Sequence, residues 1–305
     1  MLSGVYYDFM QPWPFHDECL TGSDLLKKVL IFGAGSYIGD SFTQYVQGRL
    51  DVTAVDSTND LWNEIDFCCF DSVVYLAGIA HRKQSESGSA LYFAVNRDLA
   101  FSAACKAKAD GVAQFVYFSS LYAFGVTKGE ITGSDFSAPE DPYGLSKFEA
   151  EQQLRTLQSE TFKIAVIRPP MVYGPGCRGN FPQLVRITKT SPFIPTKKNK
   201  RSMIFIDNLA EFLAIVIEER AEGLLCPQNK EYVATSKLME EIAKSIGKKS
   251  IRTPVLNLFI HALSPLSSSL RSAFGSLYYG ADVSRVPFVR EYQLVGFEES
   301  VRKSV

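Results

Sequence analysis

The sequence is poor in the residues that hold metal ions or build disulfide frameworks. It has three histidines, which lie far apart, and six scattered cysteines without the paired spacing of a zinc site. In a chain of 305 residues, such cysteines are expected to be reduced and mostly buried, as in a cytoplasmic protein. The sequence therefore predicts no metal site and a cytoplasmic location.

No sign of charge predominates. Lysine and arginine together number 32, aspartate and glutamate 33, and the formal net charge is -1. A protein with this balance has no general attraction for nucleic acid or for an acidic membrane surface. The short run from Lys197 to Arg201 is basic, and we interpret it first as a solvated loop.

Long hydrophobic runs are also missing. The best apolar window, residues 254–266, is interrupted by Asn257 and His261 and is shorter than the ~20 residues that a membrane span needs. We interpret it as a buried or amphipathic helix, and contact with a membrane surface stays open. Residues 1–26 have neither the basic start nor the apolar core of a secretory signal, so we interpret them as an N-terminal arm.

Between residues 27 and 170 the sequence alternates apolar runs with helical patterns. Runs such as KVLIF and DSVVYLAG are typical of strands buried on both faces, and DPYGLSKFEAEQQL opens a helix with Asp141 as cap and Pro142 behind it. This alternation predicts an α/β protein with a doubly wound parallel sheet. We expect residues 27–170 to form a nucleotide-binding domain to which 201–222 return, and 171–305 a smaller C-terminal lobe.

The stretch VLIFGAGSYIGDSF, which starts at Val29, joins a strand to a helix through three glycines. Gly33 and Gly35 permit a tight turn, Gly39 lets the helix approach the strand, and the helix N-terminus suits a pyrophosphate. Asp56 ends the second strand, where a carboxylate accepts hydrogen bonds from an adenosine ribose. No adjacent Arg or Lys accommodates a 2′-phosphate, which favours NAD over NADP.

Tyr143 and Lys147 share a helix face because they are four residues apart. A free tyrosine is a poor base at neutral pH, but a nearby ammonium lowers its pKa. Ser120 ends the strand of FVYFSSLYAFG and is placed to hydrogen-bond the same substrate oxygen. This triplet predicts a tyrosine base that acts on a substrate oxygen.

The ordered motifs resemble those of the extended short-chain dehydrogenase/reductase family, in particular its NAD-dependent sugar-nucleotide epimerases and dehydratases. The motifs are the glycine loop, LAGIAH, Asn96 in YFAVNRDLA, SSLYAFG, the Tyr143–Lys147 pair, RPPMVYGPG and RSMIFIDNLAEF. The resemblance covers residue 27 to about residue 305 and implies a Rossmann-type sheet with a substrate lobe. Ser36 stands where the family has its middle glycine, with Gly35 as an additional one.

The resemblance implies the site residues. It gives catalytic roles to Ser120, Tyr143 and Lys147. It implies substrate contacts from His81, Ser120, Asn180 and Arg201, the last on the diphosphate. It implies cofactor contacts from Gly33, Gly35, Ser36, Tyr37, Ile38, Gly39, Asp56, Asp66, Phe67, Leu76, Ala77, Gly78, Asn96, Tyr143 and Lys147.

The reaction implied is 4-epimerisation of a UDP-hexose or UDP-N-acetylhexosamine through a 4-keto sugar, with NAD as cofactor, in surface-polysaccharide synthesis. Leu121 and Tyr122 occupy the place of the Asp-Glu pair of sugar dehydratases, which argues against dehydration. Two alternatives remain: an NAD(P)H-dependent 4-ketoreductase of a UDP-4-keto-6-deoxy sugar, and a non-catalytic NAD-binding regulator. Relatives of this kind also lead us to expect a homodimer, and the balanced charge leads us to expect no binding of nucleic acid.

Overall fold

The computed structural model describes residues 26–79, 86–135 and 137–305, so the predicted arm lies almost wholly outside the described residues. The strands are β1 (Lys28–Phe32), β2 (Asp51–Val55), β3 (Ser72–Tyr75), β4 (Gln114–Phe118), β5 (Gly129–Ile131), β6 (Lys163–Ile167), β7 (Met171–Tyr173), β8 (Phe193–Pro195), β9 (Met203–Phe205), β10 (Gly223–Leu225), β11 (Ile251–Thr253) and β12 (Leu277–Tyr279).

The α-helices are α1 (Tyr37–Tyr45), α2 (Glu86–Phe93), α3 (Ala100–Ala109), α4 (Pro142–Arg155), α5 (Asn180–Thr190), α6 (Ile206–Glu218), α7 (Thr235–Ser245), α8 (Val255–Leu263), α9 (Ser268–Phe274) and α10 (Phe297–Ser304). A π-helical segment, Ala94–Leu99, joins α2 to α3 without a break. Two short 3₁₀ helices span Asp60–Glu64 and Leu121–Phe124.

Six parallel strands form the central sheet in the order β10-β6-β4-β3-β1-β2. Alternate residues of each strand enter opposite cores because successive side chains point to opposite faces. Val29 and Ile31 pack with α1 and α6, whereas Leu30 and Phe32 pack with α3 and α4. The α/β fold with a parallel sheet covered on both faces is therefore confirmed.

The region from residue 201 to 222 contributes α6, which packs beside α1 on the sheet, and it leads into the edge strand β10. A third apolar cluster, built mainly from residues after 170, combines α5, α7, α10 and the small sheet of β7 and β9. The division of the chain into two domains at residue 170 stays a prediction. Within the described residues, no helix is long and apolar enough to cross a membrane.

A buried ion pair connects α4 to the end of β6. Arg168 follows β6 directly, and both it and Glu151 of α4 are wholly buried. The guanidinium donates two hydrogen bonds to the Glu151 carboxylate, at 2.8 and 2.6 Å. The same carboxylate accepts a short hydrogen bond from Ser119. The pair therefore fixes the helix to the strand ends at which the candidate site lies.

Removing the charge of Glu151 should destabilise the fold. We expect Glu151→Gln to lower the free energy of unfolding in urea by about 3–5 kcal/mol, because Arg168 would remain buried and charged without its counter-ion. Glu222→Gln is the matched control, since Glu222 pairs with Lys163 at the surface. Equal losses in the two variants would contradict a structural role for the buried pair.

Candidate active site

The candidate site lies at the carboxyl ends of the parallel strands. Strands β2 and β3 lie on opposite sides of β1, so the connections that follow β1 and β3 diverge. The crevice between them is the switch point where such sheets bind ligands. At this point the Phe32 carbonyl accepts hydrogen bonds from the amides of Leu76 (2.9 Å) and Ala77 (2.8 Å). The loops that follow β1 and β3 are thereby held side by side.

The glycine loop has the tight geometry that its sequence predicts. Gly33 and Gly35 have positive φ angles of 119° and 72°, which favour glycine. A Cβ on Gly33 would lie 2.7 Å from the Ala77 nitrogen, whereas a Cβ on Gly35 would meet nothing within 4 Å. Gly33 is therefore required by the neighbouring loop and Gly35 by the backbone turn.

Ser36 is the N-cap of α1 and does not need a glycine's conformation. Its φ of -78° is ordinary, and its hydroxyl accepts a hydrogen bond from the Gly39 amide at 3.3 Å. Its own amide donates to the Gly33 carbonyl at 3.3 Å, so this amide serves the turn. The next amides, of Tyr37 and Ile38, belong to the first helical turn, where the helix itself offers no acceptor.

Asp56 projects from the end of β2 into solvent. Its carboxylate accepts hydrogen bonds from the amide and hydroxyl of Thr58, both at 2.8 Å, and these bonds lower its pKa. The carboxylate is therefore ionised and held in place at neutral pH. This is the form that accepts hydrogen bonds from ribose hydroxyls.

The structure does not bring Asp66 and Phe67 to this edge, so their expected contact with adenine is not supported. Both precede β3 at the amino-terminal edge of the sheet, where the amide of Asp71 donates to the carbonyl of Lys28. The Phe67 ring is buried in the core, and its amide donates to Asp110 at 3.1 Å. An acid followed by an apolar residue is too short a pattern to reveal the edge on which it lies.

Gly78 lies against the two side chains that link the strands to α4. A Cβ on this exposed glycine would be 3.3 Å from both Asn96 Oδ1 and Lys147 Nζ. Asn96 accepts from the Ile79 amide at 2.9 Å and donates to the Ser146 hydroxyl at 3.1 Å. Its side chain thus joins the loop after β3 to α4, and its expected contact with the cofactor stays a prediction.

Tyr143 is half-buried near the N-terminus of α4, which Asp141 caps as predicted. Burial raises the pKa of the Tyr143 phenol, while a hydrogen bond with Ser120 acts in the opposite direction. Two further rings pack edge-on to it: Tyr92 at 5.8 Å and Tyr122 at 6.4 Å between centroids. Tyr143 and Ser120 were predicted from the sequence, but Tyr92 was not. No sequence pattern indicates that α2, which carries Tyr92, packs against α4.

Lys147 is almost completely buried one turn after Tyr143. Its ammonium donates to the Phe118 carbonyl at 2.8 Å and lies 4.7 Å from the centre of the Tyr117 ring. Burial lowers the pKa of Lys147 to about 7, and the Glu151 carboxylate opposes this shift. The Glu151 carboxylate therefore helps this buried lysine to keep its charge.

Arg201 and Asn180 line one pocket, together with Ser272 of α9. Asn180 donates to the Ser272 hydroxyl at 3.4 Å, and the Arg201 guanidinium donates to the Ser272 carbonyl. Tyr122 interacts electrostatically with Arg201 and contacts Tyr143, so it connects this pocket to Tyr143. The structure thus groups the two predicted substrate residues, while His81 lies outside the described residues.

The described residues fit a dinucleotide. The glycine loop makes a tight turn, and the N-terminus of α1 follows it directly. The Asp56 carboxylate is fixed at the end of the neighbouring strand β2. Gly78 leaves room beside the Lys147 ammonium that a Cβ would fill. The N-terminal half of the chain could therefore hold NAD through the glycine loop, Asp56, Gly78, Tyr143 and Lys147.

Comparison with known proteins agrees with this geometry. The family model described as "NAD dependent epimerase/dehydratase family" matches residues 29–234. UDP-glucose 4-epimerase of Vibrio cholerae is 28% identical over 268 residues, which cover 78% of this chain and 81% of that protein. N-acetyl-alpha-D-glucosaminyl-diphospho-ditrans,octacis-undecaprenol 4-epimerase of Escherichia coli O157:H7 is 28% identical over 190 residues, or 59% of this chain and 56% of that protein.

Among solved structures, UDP-glucuronic acid 4-epimerase from Bacillus cereus, in complex with NAD, has a TM-score of 0.69 at 17% identity. The likeness covers 91% of this chain and 97% of that one, and at this identity it shows the shared fold. The family match spans both the glycine loop and the Tyr143–Lys147 pair. The chain therefore belongs to the NAD-dependent epimerase/dehydratase family and is an enzyme of that family with NAD as its cofactor.

Proposed function

We propose that this enzyme inverts C4 of a UDP-hexose or UDP-N-acetylhexosamine through a transient 4-keto sugar. The observation that carries the proposal is the meeting of Ser120, Tyr143 and Lys147 at the strand edge beside Gly78. The similarity to a UDP-glucose 4-epimerase supports a sugar nucleotide as substrate. A homodimer, a cytoplasmic location and a part in surface-polysaccharide synthesis stay predictions from the resemblance.

Tyr143 is the proton acceptor in this proposal. Its phenolate takes the proton of the C4 hydroxyl as the carbonyl forms, and returns the same proton when the carbonyl is reduced from the other face. NAD, when bound, supplies a reversible hydride acceptor for C4. Ser120, already hydrogen-bonded to Tyr143, orients the sugar oxygen between the two side chains. No proton is gained or lost over the complete cycle.

Lys147 sets the basicity of Tyr143. Burial alone favours the neutral phenol, as the raised pKa of Tyr143 shows. A positive charge on the same helix face favours the phenolate. The Arg201–Asn180 pocket would hold the diphosphate at a distance from C4, which leaves the sugar ring free to present either face. Tyr122 lies between the two sites, where it would contact the sugar.

An assay without added reductant distinguishes 4-epimerisation, which recycles its cofactor, from 4-keto reduction, which consumes NAD(P)H. We expect the purified enzyme to interconvert C4 epimers of UDP-glucose or UDP-N-acetylglucosamine without added NAD(P)H, as followed by proton NMR. The relative from E. coli is named for a sugar diphosphate on undecaprenol, so a polyprenyl-diphosphate sugar is the second substrate to test. If the enzyme turns over only a 4-keto sugar and consumes one NAD(P)H per product, the epimerase proposal is wrong and the protein is a 4-ketoreductase.

Removing the Tyr143 hydroxyl should abolish most turnover. We expect Tyr143→Phe to lower kcat by about 10²–10⁴-fold, the usual contribution of a general base, with little change in thermal stability. Tyr278→Phe is the control, since its hydroxyl contacts Glu130 away from the site. Full turnover by Tyr143→Phe, measured with the same substrate, would remove Tyr143 from the mechanism.

The pH dependence should report the Lys147 charge. A base acts in its deprotonated form, so kcat/KM rises with pH through the pKa of Tyr143 in the free enzyme. We expect Lys147→Met to raise that pKa and to move the acidic limb of the profile upward by about 1–3 pH units. An unchanged acidic limb, with activity merely reduced, would show that Lys147 acts in binding alone.

A further inference from the structure

Two segments of the C-terminal lobe contain cations but no carboxylates. Residues 180–206 and 242–281, the acid-free segments, hold eleven lysines and arginines and no aspartate or glutamate. The rest of the chain contains the other 21 of the 32 cations and all 33 acids. The eleven cations are Arg186, Lys189, Lys197, Lys198, Lys200, Arg201, Lys244, Lys248, Lys249, Arg252 and Arg271.

The acid-free segments pack against each other. Strand β11 pairs with β8 in parallel, with Ile251 opposite Phe193. The Asn257 amide of α8 donates to the Thr196 hydroxyl at 2.8 Å, and Lys248 donates to the Lys189 carbonyl at 2.7 Å. Their cations therefore belong to one continuous region of the lobe.

Carboxylates of neighbouring helices neutralise only part of this region. Glu240 of α7 binds Arg252, and Glu241 and Glu298 lie 3.2 and 3.6 Å from Lys244. In the described part of the chain, the exposed side chains of Lys198 and Lys249 form no salt bridge. A net positive potential remains over the region.

The same region exposes large apolar side chains. Of the fourteen that are exposed among the described residues, eight lie in the acid-free segments. They are Ile187, Phe193, Ile251, Val255, Leu258, Phe259, Leu263 and Leu266. Positions 255, 258, 259 and 263 follow helical spacing and form one outward stripe on α8, with Leu258 71% exposed. Helix α8 thus turns an apolar face to the outside of the lobe.

We propose that this region docks the enzyme on an anionic lipid bilayer. An apolar helix face flanked by lysine and arginine inserts at the headgroup boundary while the cations meet anionic lipids. A second copy of the chain is a poorer occupant, because a two-fold contact brings identical cations face to face. Nucleic acid would leave the apolar stripe exposed. The inference does not depend on the sugar or on the direction of the reaction.

Docking in this way would bring the Arg201–Asn180 pocket close to the membrane. Helices α5 and α9 are parts of the acid-free segments, and they also supply Asn180 and Ser272 to the pocket that Arg201 lines. A substrate or product held at a membrane surface would then have a short path to the pocket. The bilayer contact needs no transmembrane helix, since α8 would lie in the interfacial plane.

Vesicle flotation of the full chain tests the proposal. We expect the protein to float with vesicles of phosphatidylcholine mixed with phosphatidylglycerol, but not with phosphatidylcholine alone. Binding should weaken at high salt, because screening shortens the reach of the cations. Leu258→Gln combined with Phe259→Gln should lower the partition coefficient by about 100-fold, and Lys198→Gln combined with Lys249→Gln by about 30-fold.

Matched variants elsewhere on the surface serve as controls. Val289→Gln with Leu294→Gln removes two exposed apolar side chains, and Lys128→Gln with Lys230→Gln removes two exposed cations. These four residues lie outside the acid-free segments, so vesicle binding should be unchanged. Thermal melting of every variant confirms that it is folded.

Three results would overturn the proposal. The first is no flotation of the unaltered protein with anionic vesicles. The second is an equal loss in the control variants. The third is that the α8 variants change the oligomeric state, measured by light scattering, without changing vesicle binding, in which case the stripe is a contact between copies. Epimerase activity on a soluble sugar nucleotide is measured separately. That assay tests the proposed function, whereas flotation tests membrane docking, so either proposal can fail without the other.

Discussion

Hydrogen bonds around the buried side chain of Asn96 hold the strand edge and helix α4 together. The side chain accepts a hydrogen bond from the Ile79 amide and donates one to the Ser146 hydroxyl of α4. It lies in the π-helical segment, where an extra residue in the turn alters the backbone pairing. Tyr75 and Tyr117 of adjacent strands donate to carbonyls of this segment at 2.7 and 2.6 Å. The sheet thus fixes the π-helical turn, and the turn fixes α4.

Successive turns of one face of helix α4 carry candidate site residues first and a buried structural residue next. Tyr143 and Lys147 reach the candidate site, and Glu151 follows one turn later inside the protein. There the carboxylate joins Arg168 and Ser119, and it also favours the charged form of Lys147. A buried ion pair adds little net stability by itself, but each partner makes removal of the other costly. The pair therefore constrains the orientation of the helix.

The sequence was informative where the cause is local. The strand cores, the Asp141 cap and the glycine turn follow from residues a few positions apart, and the structure has each of them. The adenine contact of Asp66 and Phe67 stays a prediction. Both lie before β3, where the Phe67 amide donates to Asp110, and a two-residue pattern could not reveal this placement. The link between Asn96 and Ser146 spans fifty residues, so no short pattern could reveal it. Motif order thus predicts the site residues, and only the fold shows which protein groups they contact.

The net charge of the chain does not reveal how unevenly its acidic and basic residues are distributed. A value of -1 suggested no attraction for an acidic surface, and the run from Lys197 to Arg201 was interpreted as a solvated loop. Pairing of β8 with β11 places that run in the same region as residues 242–281, which also lack acids. Electrostatic attraction falls off over about 10 Å, so the local balance governs what a surface meets. An acidic remainder would also be repelled by anionic lipid, and the opposed charges would orient the molecule with α8 toward the bilayer.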